Sequence, residues 1–147
     1  MRERAYLATT ACAIAEALYA QGRLDEAQRM TEEAQAAAGP DDVDAQARWR
    51  ATRAKLLARR GQVSAARRLI GQAVALLSAT SYAVLKAETL VAKAEVSRLA
   101  GARGQAVTSL RAALRIYEDR HAIALSEQTR CAIASLTDQP STADLTA

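Results

Sequence analysis

Three stretches decide how this chain folds: Ala20-Gln21-Gly22-Arg23-Leu24-Asp25-Glu26-Ala27, Arg59-Arg60-Gly61-Gln62-Val63-Ser64-Ala65-Ala66 and Leu99-Ala100-Gly101-Ala102-Arg103-Gly104-Gln105-Ala106. In each, Gly precedes Ala by five positions, and the three glycines stand 39 and 40 residues apart. Ala15, Ala54 and Ala94 lie seven positions before these glycines, and Ala34, Ala73 and Ala113 twelve after them. A four-point match in three copies marks an internal repeat. Its physical reading is a helix-turn-helix unit. The Gly supplies the left-handed residue that ends one helix, and the alanines let the two helices approach closely. One such pair cannot bury its outer face alone, so pairs stack.

Composition agrees. Of 147 residues, 37 are alanine, while aromatics make up 3% and Phe is absent. Alanine is the strongest helix former, and a chain so poor in aromatic and β-branched residues argues against a sheet. Few bulky side chains favour thin layers of closely packed helices over one thick core. The pattern predicts seven helices, at about 2–21, 24–38, 42–60, 63–78, 81–100, 103–118 and 122–136. Gly39-Pro40-Asp41-Asp42 is the clearest break, joining a C-terminal Gly, a Pro stop and an acidic helix start. The break at Ser78–Ser81 holds neither Gly nor Pro and reads as little more than a kink. The last helix, with Ile123, Leu125, Cys131, Ile133 and Leu136, has no second partner and is expected to cap the stack. Residues 137–147 read as a flexible tail.

This pattern resembles the tetratricopeptide repeat family, whose units place a small residue late in the first helix, a turn Gly, then small residues in the second helix. Ala15, Gly22, Ala27 and Ala34 match in the first unit, Ala54, Gly61, Ala66 and Ala73 in the second, and Ala94, Gly101, Ala106 and Ala113 in the third. The period is nearer 40 than the family's usual ~34. Trp49 is one place out of register, and Arg53 and Lys93 stand where the family has bulky apolar residues. The resemblance implies an all-α fold, an α-solenoid of three antiparallel helix pairs in a right-handed superhelix with a C-terminal capping helix. It forms one domain over residues 1–136, with units at about 2–38, 42–78 and 81–118 and the cap at 122–136. The stretches Ala17–Ala27, Asp41–Ala47 and Ala94–Gly101 are also similar to the helical-repeat tails of bacterial regulators that carry cyclase-like and P-loop ATPase domains upstream. No GxxxxGK[ST] phosphate loop occurs in this chain.

The net charge of +4 is uneven: residues 1–45 hold four Arg against nine acids, whereas the remainder holds 16 basic residues against seven acids. On a wheel of ~100° per residue, Arg48, Thr52, Lys55 and Arg59 form one polar strip of the third helix. Ala47, Ala51, Ala54 and Ala58 form a narrow face, with Trp49 and Leu56 roughly opposite. In the family the first helix of each unit lines the concave side. The resemblance therefore places Glu16, Tyr19, Arg48, Lys55, Arg59, Glu88, Glu95 and Arg98 in a candidate partner-binding groove. The strip has three readings: a solvated polar face, a groove for an acidic peptide held by Arg–carboxylate forks, or a polyanion surface. No aromatics alternate with the strip to stack bases, which disfavours nucleic acid.

Catalysis finds little support. His121 is the lone His, beside Glu118 and Asp119 in a turn, and adjacent carboxylates such as Glu32–Glu33 do not face each other across a substrate. Cys12 and Cys131 have neither metal nor redox spacing and read as small buried hydrophobes in a reducing cytoplasm. The start of the chain is a poor signal peptide, and no apolar run reaches a membrane-spanning length. The expectation is a cytoplasmic, non-enzymatic module for a protein or peptide, without cofactor, metal or membrane partner, and with homo-oligomerisation open. An Arg-rich, Asn-free composition fits a GC-rich bacterial genome.

Overall fold

A computed structural model describes residues 2–138, all within helices or the turns between them. The helices are α1 (Arg2–Ala20), α2 (Leu24–Ala37), α3 (Val43–Arg59), α4 (Val63–Leu77), α5 (Ala83–Leu99), α6 (Arg103–Asp119) and α7 (Ile123–Thr137). The most extensive contacts join α1 to α2, α3 to α4 and α5 to α6. Between these pairs, α3 packs on both α1 and α2, α5 packs on both α3 and α4, and α7 packs on α6. Most of the expected tail, residues 139–147, lies outside the described residues.

The repeat signature explains the pairing. Gly22, Gly61 and Gly101 have φ of 76°, 78° and 74°, the left-handed conformation that costs a side chain most. In each turn the Gly N–H and the next N–H reach back to carbonyls of the preceding helix, as in Gly22 to Tyr19 and Arg23 to Leu18. This is the Schellman arrangement. The α6–α7 turn repeats it with His121, at φ 54°, donating to Glu118, and Ala122 donating to Tyr117. His in place of Gly hid that fourth copy from the repeat pattern.

The signature alanines sit in the seams. Ala15, Ala27, Ala34, Ala54, Ala66, Ala73, Ala106 and Ala113 have no accessible surface, and Ala94 has 2%. Helix α3 has two apolar faces, as its wheel predicts. Trp49 and Leu56 pack against α1 and α2, while Ala51, Ala54 and Ala58 join Ile70, Ala73 and Val96 from α4 and α5.

Two expectations are corrected. Ser78–Ser81 belongs to a full break, not a kink. The Ser78 and Thr80 hydroxyls donate to the carbonyls of Ala75 and Leu77, and Lys86 Nζ donates to those of Ser78 and Thr80. Side chains there satisfy the helix end without Gly or Pro. Cys131 is exposed, whereas Cys12 is buried. The outer side of α7 has no neighbour among the described residues, and Ile123 is likewise 72% exposed.

Candidate functional site

Helices α1, α3 and α5 lie side by side, and a groove of about 900 Å³ runs across them. Its walls include Glu16 and Ala17 of α1, Ala51 and Thr52 of α3, and Thr89 and Ala92 of α5. Arg48, Lys55 and Glu88 also line it, and Tyr117 of α6 closes one side. Small residues at the helix crossings make this space: a longer side chain at Ala51 or Ala92 would occupy it.

The charged residues of the groove are joined across the helices. Arg48 Nε bonds Asp44 at 2.9 Å within α3, and its Nη1 reaches Glu88 of α5 at 3.0 Å. Lys55 pairs with Glu16 of α1, and Thr52 donates to the other Glu16 oxygen at 2.8 Å. Tyr19 donates to Glu95 at 3.1 Å and accepts from Arg59 Nε at 2.9 Å. Arg98 holds Glu95 through two bonds of 2.9 and 3.0 Å. A polar ladder thus ties α1 to α3 and α3 to α5.

Local burial sets its electrostatics. Burial pushes the Tyr19 hydroxyl up to about 12, helped by Glu95 and opposed by Arg59. Burial also raises Glu95, but the hydrogen bond and charge of Arg98, with Tyr19 and Arg59, outweigh it and hold the carboxyl below its ordinary value. Burial works against the Arg48 charge, yet Asp44 and Glu88 keep its value above normal. Burial pushes Tyr117 up to about 12 as well, with Glu88 adding to the effect.

The eight residues expected in one groove divide between two places. Glu16, Arg48, Lys55 and Glu88 line the groove just described. Glu95 and Arg98 border a second cavity of about 630 Å³, beside Leu110 and Leu136. Tyr19 and Arg59 link the two through Glu95. Lys55 is not the exposed cation that its strip suggested: it is buried, its ammonium 4.4 Å from the centre of the Tyr19 ring. A long aliphatic stem can cover an aromatic face while its head reaches a carboxylate. The strip's cations therefore enter the groove already paired. Asp44, Thr89 and Tyr117 were not foreseen as groove residues. Asp44 was legible as the i−4 partner of Arg48, but Thr89 and Tyr117 carry no signal beyond helical phase.

Arg50 and Arg53 lie elsewhere on α3, their guanidinium groups over the Trp49 ring at 4.3 and 4.7 Å from its centre. Burial lowers both their values, and Arg53 spans to Thr31 and Gln35 of α2. Arg53 thus replaces a bulky apolar residue by stacking and bonding across the seam. Among the described residues, no cluster of three His, Cys, Asp or Glu could hold a metal ion, and no helix is long and apolar enough to cross a membrane. No protein-family model, no curated protein and no solved structure matches this chain.

Proposed function

We propose that this chain is a non-enzymatic binding module, a tetratricopeptide-like α-solenoid of three helix pairs with α7 as its cap. It holds a segment of another protein in the α1–α3–α5 groove. The observation that carries this reading is the groove itself, about 900 Å³, open, spanning three helices and walled by small residues. As in the regulators the chain resembles, such a module serves as the interaction part of a larger system and works in the cytoplasm. In and beside the groove, the acids Glu16, Asp44, Glu88 and Glu95 match the bases Arg48, Lys55, Arg59 and Arg98. An acidic peptide would have to displace carboxylates already in place, so the fitting partner is a segment without strong net charge. Charge reversal of Arg48 and Arg59 is a poor test, because it also breaks ties between helices.

A cleaner test fills the groove. Thr9 and Ala20 are exposed positions on its wall. Peptides selected against the intact chain from a random displayed library should lose at least ~10-fold in affinity, about 1.4 kcal/mol, on the Thr9→Trp/Ala20→Trp variant. Selected peptides that bind both proteins equally would overturn the reading.

A further inference from the structure

The three units place equivalent residues in very different surroundings. With the turn glycines aligned, Tyr6, Thr10, Ala13 and Ala17 of α1 correspond to Ala45, Trp49, Thr52 and Leu56 of α3 and to Leu85, Thr89, Ala92 and Val96 of α5. All eight residues of α3 and α5 are buried, none more than 6% exposed. The preceding helix pair packs against the largest of those on α3: Trp49 clusters with Ala11, Cys12 and Ala34, and Leu56 with Leu18, Tyr19 and Ala27, while Thr52, Leu85, Thr89 and Ala92 also line the groove. All four α1 residues are exposed, Tyr6 by 73%. Leu7 and Ile14 flank them on the same face, 58% and 43% exposed. No charged residue lies between Arg4 and Glu16. This face therefore has the positions of the contact that joins one pair to the next, and it carries no charge of its own.

We propose that the outer face of α1 is the contact between two copies of this chain, packed α1 against α1 about a two-fold axis. The register says that a helical surface fits here, and charge says which one. The opposite end of the stack exposes Glu127 on α7 and the Arg130–Glu118 pair, whose charges would lose water against an uncharged face. Two α1 faces meet without that cost. Thr10, Ala13 and Ala17 are small enough for close helix axes, while Tyr6, Leu7 and Ile14 supply the apolar area. The contact is isologous, so it closes at two copies instead of growing into a filament. One helix face per copy falls below the roughly 800 Å² per partner of a standard interface, so the dimer is weak and concentration-dependent. The proposal stands apart from the groove reading because its apolar area, Tyr6, Leu7 and Ile14, lies outside the groove, although Ala13 and Ala17 at its edge also line the groove wall.

Sedimentation of the intact chain over a wide concentration range tests it. The mass should move from 15.7 kDa towards twice that value at high concentration. Leu7→Glu/Ile14→Glu, and separately Thr10→Glu, should stay at the monomer mass with helicity unchanged, since these side chains are exposed. Ile123→Glu, at the other end of the stack, should dimerise like the parent. A mass that never rises, one that passes beyond two copies, or dimerisation lost in Ile123→Glu but kept in the α1 variants would each overturn the proposal. So would a foreign helical partner seated on the α1 face of a chain that stays monomeric at every concentration.

Discussion

Helices α3 and α7 are nearly the same length, 17 and 15 residues, yet α3 buries nine of its residues and α7 two. Neither is more helical by composition in any way that explains this. Helix α3 has a helix pair on each side, whereas α7 rests on the α5–α6 pair and has no neighbour on its other side among the described residues. What a residue contributes depends on which helices surround it as much as on what it is. Leu56 at 0% exposure and the half-buried Leu136 are the same residue with different neighbours.

Truncation should expose the contrast most strongly. Leu56→Ala is expected to cost about 2–5 kcal/mol, the range for cavity-forming changes in a packed core. Leu136→Ala should cost clearly less, as read from denaturant midpoints. Equal losses would show that α7 is held as tightly as α3. Enlargement comes next. Ala54→Leu should overpack the α3–α4–α5 seam and cost roughly 1–3 kcal/mol. Ala134→Leu, on the exposed side of α7, should stay within about 0.5 kcal/mol.

The turns give a smaller and opposite pair of effects. A methyl group on Gly61 would meet no atom within 4 Å, but its φ is 78°. Gly61→Ala should therefore destabilise by about 1 kcal/mol through the backbone alone. His121 already bears that strain at φ 54°, so His121→Gly should stabilise by up to about 1 kcal/mol. A thermal shift of the wrong sign in either variant would remove the equivalence of the two turns.

The smallest expected effect lies in acid. Glu95 ties α5 to α1 and α3 with its folded carboxyl below the ordinary value. Its contribution is then fully present above the unfolded value of about 4.3 and is lost as pH falls through the lower folded value. Glu95→Gln should flatten the fall in stability between about pH 5 and pH 2.

The elements were legible because glycine marks a backbone state that few other residues adopt. Where another chemistry does the same work, the repeat mark is missing: the α6–α7 turn at His121 is placed but does not stand out as a further copy, and the α4–α5 break, held by the Ser78, Thr80 and Lys86 side chains, reads as little more than a kink. The polar strip on α3 was legible from helical period alone. Its pairing was not, because Lys55 meets Glu16 and Arg48 meets Glu88 only through the relative rotation of separate helices. No single-helix wheel contains that rotation. Cys131 illustrates the same gap: an apolar residue on α7 is buried or exposed according to which side the neighbour takes.

Trp49, the lone tryptophan, has the guanidinium groups of Arg50 and Arg53 over its ring and donates to Gln46 at 3.1 Å. It shares a buried cluster with Ala11, Cys12 and Ala34, so it sits on the seam where the N-terminal pair meets α3. Its fluorescence is therefore a local reporter, while far-ultraviolet ellipticity sums over every helix from α1 to α7. If the first pair peels away before the middle of the stack, the emission will shift at a lower denaturant concentration than the ellipticity. If the stack melts as one body, the two curves will superimpose. Nature has placed the optical label at the seam where the order of unfolding can be read without adding a probe.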